Sequence, residues 1–216
     1  MFSKPDAKTP YLHKKLHIVY SILFVVFWIY TGLTTPDIAN WLLENTLTLS
    51  LIIFLVAFYN IFRFSDLSYT FIFLFLLLHV YGSQYQYAGN PFGEWLKQMY
   101  NLERNHYDRF VHFGYGLLLA YPVHEVLAYA FKLRKLLTYL LPVELILSSS
   151  ALYELVEWMV ADWVYDGGER GMNFLGMQGD IWDAQKDIAL AFTGATITMA
   201  TAFVLRIGKN TKPSKP

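Results

Sequence analysis

Two stretches decide the fold, SLIIFLVAFYNIF (Ser50–Phe62) and TFIFLFLLLHVY (Thr70–Tyr81), and neither contains an Asp, Glu, Lys or Arg. A surface helix of a soluble protein presents a polar stripe every 3.6 residues, whereas a helix that is apolar all round lies in a large core or in a membrane. A chain of 216 residues has no room for several such helices in a water-soluble core. Working outward, comparable apolar runs recur at Leu16–Leu33, Leu42–Phe62, Tyr69–Tyr81, Phe110–Phe131, Leu136–Ala161 and Ile188–Ile207. About 20 residues at ~1.5 Å each cross the hydrocarbon layer. With their polar flanks the predicted spans are 16–33, 42–62, 69–83, 108–131, 136–161 and 183–207. The third is short before Gly82 and borrows flanking aromatic residues. The expected fold is all-α: one polytopic membrane domain over 1–216 with six transmembrane helices.

Composition agrees. Hydrophobic residues make up 55% and charged residues only 16%, against about 25% charged in soluble domains. A net charge of +0 gives no bulk attraction to nucleic acid, so no nucleic-acid partner is expected. Without Cys there is neither a thiolate metal site nor a Cys nucleophile. The first span follows Lys14 and Lys15, exceeds the ~7–15 residues of a signal-peptide core and precedes no A-x-A site, so it reads as a retained helix. No repeat of 20–50 residues is evident.

Basic residues set the orientation. Lys4, Lys8, Lys14, Lys15, Arg63, Lys132, Arg134, Lys135, Arg206, Lys209, Lys212 and Lys215 fall on one side, against Lys97, Arg104, Arg109, Arg170 and Lys186 on the other. Both termini are therefore expected in the cytoplasm. Trp41, Trp95, Trp158, Trp163 and Trp182 then lie near the outer ends, as an aromatic belt requires. Outside, NPFGEWLKQMYNL (Asn90–Leu102) predicts a short amphipathic helix on the extracytoplasmic surface, capped by Asn90 with Pro91 in its first turn. The loop DWVYDGGERGMNFLGMQGD (Asp162–Asp180) has glycines suited to tight turns but no phosphate-loop spacing.

Ionisable residues near hydrocarbon are costly and mark function. In this topology His79, Asp108, His112, Glu154, Glu157, Asp180, Asp183 and Asp187 all fall in the extracytoplasmic half. Spacings of three or four put Asp108 with His112, Glu154 with Glu157, and Asp183 with Asp187 on single helix faces. The aspartate face continues through Ala191, Gly194, Thr198 and Ala202, small residues that admit a close neighbour. So many acids need protons, Arg109 and Lys186, or a bound cation to coexist. The candidate metal ligands are Asp108, His112, Glu154, Glu157, Asp183 and Asp187, with His79 and Asp180 as further members; oxygen and imidazole donors suit a divalent cation. A metal-free carboxylate–Arg–His network and solvated interface charges remain alternatives. Asp180 also fits a helix cap before Ile181 and Trp182. His124, Glu125 and Glu144 belong to the cytoplasmic half and are left out of the site. Tyr107 and Tyr153 are assigned to the aromatic belt.

The segments RNHYDRFVHFGYG (Arg104–Gly116), SALYELVEW (Ser150–Trp158) and FLGMQGDIWDAQKD (Phe174–Asp187) resemble the YjdF-type inner-membrane protein family. The resemblance covers the C-terminal half in motif and the rest as apolar spans. It implies an integral protein of the bacterial inner membrane and names no reaction. Val111, Met159 and Lys186 depart from the family pattern without removing an acid or a histidine. Asp108-Arg109-x-x-His112-Phe113, Glu154-x-x-Glu157 and Asp183-x-x-x-Asp187 are also similar to blocks of VanZ-like membrane proteins, which points towards cell-envelope or lipid chemistry.

Three functions compete. In an enzyme or binding protein for an envelope lipid or lipid-linked substrate, Asp183, Asp187, Glu154 and Glu157 would be catalytic, His112 an acid/base or ligand, and Arg109 and Lys186 would bind the substrate. A cation or proton-coupled transporter would continue its polar residues to His124, Glu125 and Glu144. A structural or accessory protein would hold a closed polar network without a cavity.

Overall fold

A computed structural model describes residues 15–134 and 136–210. Lys4, Lys8, Lys14, Lys135, Lys212 and Lys215, which entered the orientation argument, lie outside the described residues. Among the described residues the elements are all helical: α1 (Lys15–Thr34), α2 (Ile38–Phe58), α3 (Asp66–Ser83), α4 (Pro91–Tyr100), α5 (Tyr107–Glu125), α6 (Leu137–Trp163), α7 (Gly168–Leu175) and α8 (Asp183–Asn210). A single π turn, Val126–Ala130, continues α5.

α1, α2, α3, α6 and α8 are long and apolar enough to cross a bilayer. α5, the remaining long helix, has 19 residues but carries Asp108, Arg109, His112, His124 and Glu125. Its place in the bundle explains how it tolerates them: α3, α6 and α8 pack around it, and α1 and α2 stand outside α3. The outward surface is apolar, with Val26 63%, Val56 71% and Val204 62% exposed. Such a surface needs lipid to cover it. The chain is a multi-pass all-α membrane protein.

Side-chain caps mark the helix starts. Asp37 accepts from the Ala39 and Asn40 amides, Ser65 from Ser68, and Asn90 from Phe92 and Gly93 with Pro91 in the first turn. The amphipathic helix expected after Asn90 is thus α4. The glycine-rich loop differs from the turns expected of it. It folds α7 between Gly167 and Gly176, both at positive φ. α7 lies so close to α6 that a Cβ on Gly171 would meet the Ala161 carbonyl at 2.5 Å.

The closest packing joins α5 to α8. A Cβ on Gly116 would collide with the Ala191 carbonyl, and one on Gly194 with the Phe113 carbonyl and, at 2.6 Å, the Leu117 amide. Thr198 donates across to the Leu117 carbonyl at 2.6 Å. Small residues bring the two backbones together, and this same face of α8 begins with Asp183 and Asp187.

Candidate metal centre and its cavity

Asp108 and His112 stand one turn apart at the start of α5, and Asp187 faces them from α8 across the glycine seam. One ligand atom from each of Asp108, His112 and Asp187 lies within 4.8 Å of the other two. His112 Nε2 is 3.6 Å from Asp108 Oδ1 and 3.3 Å from Glu154 Oε1 of α6. The Glu154 contact falls outside hydrogen-bond geometry, and Glu154 Oε1 has no donor. Asp187 is 1% exposed and its Oδ1 is likewise unpartnered. Leaving a buried carboxylate oxygen without a donor or counter-ion is costly. Three converging oxygen and imidazole donors with unsatisfied valence are the donor set of a hard or borderline divalent cation.

Of the other predicted site residues, Asp180, Asp183, Arg109 and Lys186 form a hydrogen-bonded cluster of their own with Arg104. Arg104 grips both oxygens of Asp183: Nη1 donates to Oδ1 and Nη2 to Oδ2, the latter at 3.1 Å. It also donates to the carbonyls of Met177 and Gly176. Arg109 donates to Asp180 Oδ2 and, at 3.1 Å, to Asp183 Oδ1. Lys186 Nζ reaches Asp180 Oδ2 at 2.6 Å, and Asp180 Oδ1 accepts from the Trp182 amide at 3.1 Å. Asp180 thus closes a turn ahead of α8, which begins at Asp183, and is not the helix cap itself. The Lys186 contact, the Trp182 amide and Arg109 hold the Asp180 carboxyl well below the usual carboxylate range. Nearby, His106 Nδ1 pairs with Arg109 Nη1 at 3.2 Å. Partial burial first, then the charges of Arg109 and Arg104, keep the His106 imidazole below its ordinary value.

His79 is tied elsewhere. Its Nε2 lies 3.4 Å from the Glu44 carbonyl and its Nδ1 2.7 Å from the Tyr87 hydroxyl. A carbonyl only accepts, so Nε2 carries the proton and Nδ1 accepts from Tyr87. Both ring nitrogens are occupied. Glu157 stands on α6 beside Tyr153 and within electrostatic reach of Asp108, without joining the Asp108–His112–Asp187 group.

Three contributors escaped the sequence reading. Arg104 was counted only as a basic loop residue, yet it is 5% exposed and binds both the Gly176–Met177 segment and Asp183 at the start of α8. Glu44, 6% exposed on α2, accepts from the Tyr153 hydroxyl at 3.3 Å. Its signal was available, since a lone acid one turn inside an apolar run is itself an anomaly. Tyr87 gave no signal. Tyr107 and Tyr153 do not serve an aromatic belt: Tyr107 is 3% exposed and donates to the Leu78 carbonyl, and Tyr153 bridges to Glu44.

A cavity of about 400 Å³ opens from this cluster. His79, Tyr87, Asp108, His112 and Tyr153 form its polar end. Leu51, Phe75, Leu76 and Leu119 form its apolar end.

Residues 16–208 match a family described as "Predicted membrane protein (DUF2238)". The chain belongs to this family. It is 35% identical over 181 residues to the "Inner membrane protein YjdF" of Escherichia coli (strain K12), covering 83% of this chain and 85% of that one. The expected kinship with YjdF-type proteins is borne out. No solved structure matches.

Proposed function

We propose that the protein is an inner-membrane enzyme or binding protein for an envelope lipid or lipid-linked substrate, with a divalent cation held by Asp108, His112 and Asp187. The observation that carries this reading is the convergence of Asp108 and His112, which line an amphipathic cavity, with the buried Asp187, one of whose carboxylate oxygens has no partner. Pockets of this kind, apolar with a few converging polar groups, are the usual form of small-molecule sites. The cation would polarise a substrate oxygen or lower the pKa of a bound water. Glu154, with Oε1 free and 3.3 Å from His112, is placed to take a proton from that water.

Asp183 and Asp180 serve in this reading as anchors for Arg104, Arg109 and Lys186. Arg109 and Lys186 are too fully engaged to lead substrate binding. The inner-membrane location follows the name of the related E. coli protein, and the basic residues support cytoplasmic termini with the centre on the extracytoplasmic side. A transporter is disfavoured by the packed layer of Ala120, Tyr121, Tyr139, Ile146, Ala195 and Met199, which lies between the centre and Glu125. The cavity disfavours a purely structural network.

Manganese titration of the purified chain, read by electron paramagnetic resonance, tests the proposal. The wild type should bind one Mn²⁺ per chain. D187N and H112Q should weaken binding at least ~10-fold, the worth of one good ligand or its support, while D180N should leave it unchanged. Equal binding by wild type and D187N, or no binding at millimolar Mn²⁺, would overturn it.

A further inference from the structure

The cavity has a side entrance. Its walls come from α2, α3, α5 and α6, and α2 and α6 pack mainly on other helices, meeting each other through the Tyr153–Glu44 hydrogen bond. Leu47 of α2 and Leu152 and Val156 of α6 line the cavity, yet they are 49%, 61% and 46% exposed on the bundle's outer surface. Exposed residues along the lining mark the thinnest side of the wall, where a mouth can open. That mouth faces the bilayer, and across it the Tyr153 hydroxyl reaches Glu44.

Two hydroxyls on the walls are unpaired. Thr48 is 1% exposed and Ser150 2%, both line the cavity, and neither Thr48 Oγ1 nor Ser150 Oγ has a hydrogen-bond partner. Hydroxyls in apolar helices ordinarily bond back to a carbonyl one turn earlier. Thr46, Ser50, Ser149, Thr193 and Thr196 do so here. Thr48 and Ser150 do not, nor does Ser68 of α3, but only Thr48 and Ser150 of these line the cavity, from opposite helices below the Asp108–His112 end.

We infer that the cavity takes one acyl chain of a membrane amphiphile, entering sideways between α2 and α6, with its acyl carbonyl accepting from Thr48 or Ser150. The chain runs along Leu51, Leu76 and Leu119. The head group points to Asp108 and His112, and this last placement alone rests on the function proposed above. Size supports a single chain: about 400 Å³ lies at the lower end of the ~300–1,000 Å³ typical of ligand sites, too little for a whole two-chain lipid. The two unpaired donors select a chain that begins with an acceptor over a bare isoprenoid or alkyl chain.

The test uses the full chain in dioleoylphosphatidylcholine vesicles doped with a monoacylglycerol bearing a diazirine at the end of its chain. After photolysis, labelled residues are mapped by mass spectrometry. Label is expected on Leu76 and Leu119, which do not face lipid, and excess monopalmitoylglycerol should remove it. The T48V/S150A pair should cut that label at least ~5-fold, about one hydrogen bond's worth. An ether-linked probe lacking the carbonyl should label the wild type equally poorly, and V156W should block entry. Label on the outward Val26 should be unchanged in every variant, which reports an intact bundle. Label confined to outward residues such as Val26 and Val56, equal labelling by the ether probe, or no effect of T48V/S150A would each overturn the inference. D187N separates the two proposals, because it should weaken Mn²⁺ binding at least ~10-fold and leave the acyl label in place.

Discussion

Arg104 offers the sharpest test of how the site is held. Its guanidinium is 6% exposed and the Asp183 carboxylate 5%. The pair joins the loop before α5 to the first turn of α8, and the same guanidinium fixes the carbonyls of Gly176 and Met177. R104M keeps the stem and removes the charge, leaving Asp183 with Arg109 alone at 3.1 Å. Breaking a buried ion pair from one side costs about 3–5 kcal/mol. The surviving Arg109 contact puts the loss near the lower figure, about 3 kcal/mol. For a chain of this size each kcal/mol moves Tm by ~2–4 °C, so a drop of roughly 6–12 °C is expected. D183N in the same background removes the stranded charge, and R104M/D183N should recover part of the loss. A double-mutant cycle should then give a coupling of about 2 kcal/mol, within the range for contacting residues. Thermal unfolding of the detergent-solubilised variants, followed by circular dichroism, reads all four corners. An R104M Tm within about 2 °C of wild type, or strictly additive losses, would refute the clamp.

Other expectations follow from the packing and the loop. G194A places a Cβ against the Phe113 carbonyl and the Leu117 amide, so it should destabilise by about 1–3 kcal/mol as overpacking does; a Tm equal to wild type would show that the α5–α8 seam can part freely. His106 accepts from Arg109 only when its Nδ1 is unprotonated, and its pKa is depressed. Its contribution is therefore full above the unfolded value near 6.5 and lost as pH falls through the lower folded value. H106N should thus flatten the loss of Tm between pH 7 and 5, and an unchanged slope would count against the pairing. Because the chain has no cysteine, single-cysteine variants report topology directly. In spheroplasts a membrane-impermeant maleimide should label the exposed E103C and E169C but not the exposed K132C, and the opposite pattern would reverse the orientation.

The fold was legible because its deciding signal is local. A run such as Ser50–Phe62 needs no tertiary information to exclude water, and the cap at Asn90 and the turn at Asp180 act on amides two or three residues away. The α5–α8 contact was half legible: Asp183, Asp187, Ala191 and Gly194 share a face by arithmetic, but nothing local names Gly116 as the partner. The site was legible as a set of residues and not as a partition. That Asp183 would be sealed by Arg104, while Asp187 four residues on would keep an open oxygen, depends on a loop 79 residues away in sequence. α7 was missed because glycines at both of its ends read as turns, and their positive φ values are in fact the helix boundaries.

This partition bears on the chemistry. Arg104, Arg109 and Lys186 direct their donors at Asp180 and Asp183. Among the described residues no Lys or Arg lines the cavity where Asp108 and His112 stand. If the acids existed only to brace helices, each would gain most from a fixed cation of the chain's own, as Asp183 does. Asp187 and Glu154 instead retain unpartnered oxygens next to Asp108 and His112, which line the cavity. A buried anion without a resident counter-charge persists when a proton or a bound cation completes it. The chain directs the hydrogen bonds of its own cations to Asp180 and Asp183, so in the proposed reading a bound cation would complete Asp108, His112 and Asp187, and the cavity beside Asp108 and His112 would receive the lipid.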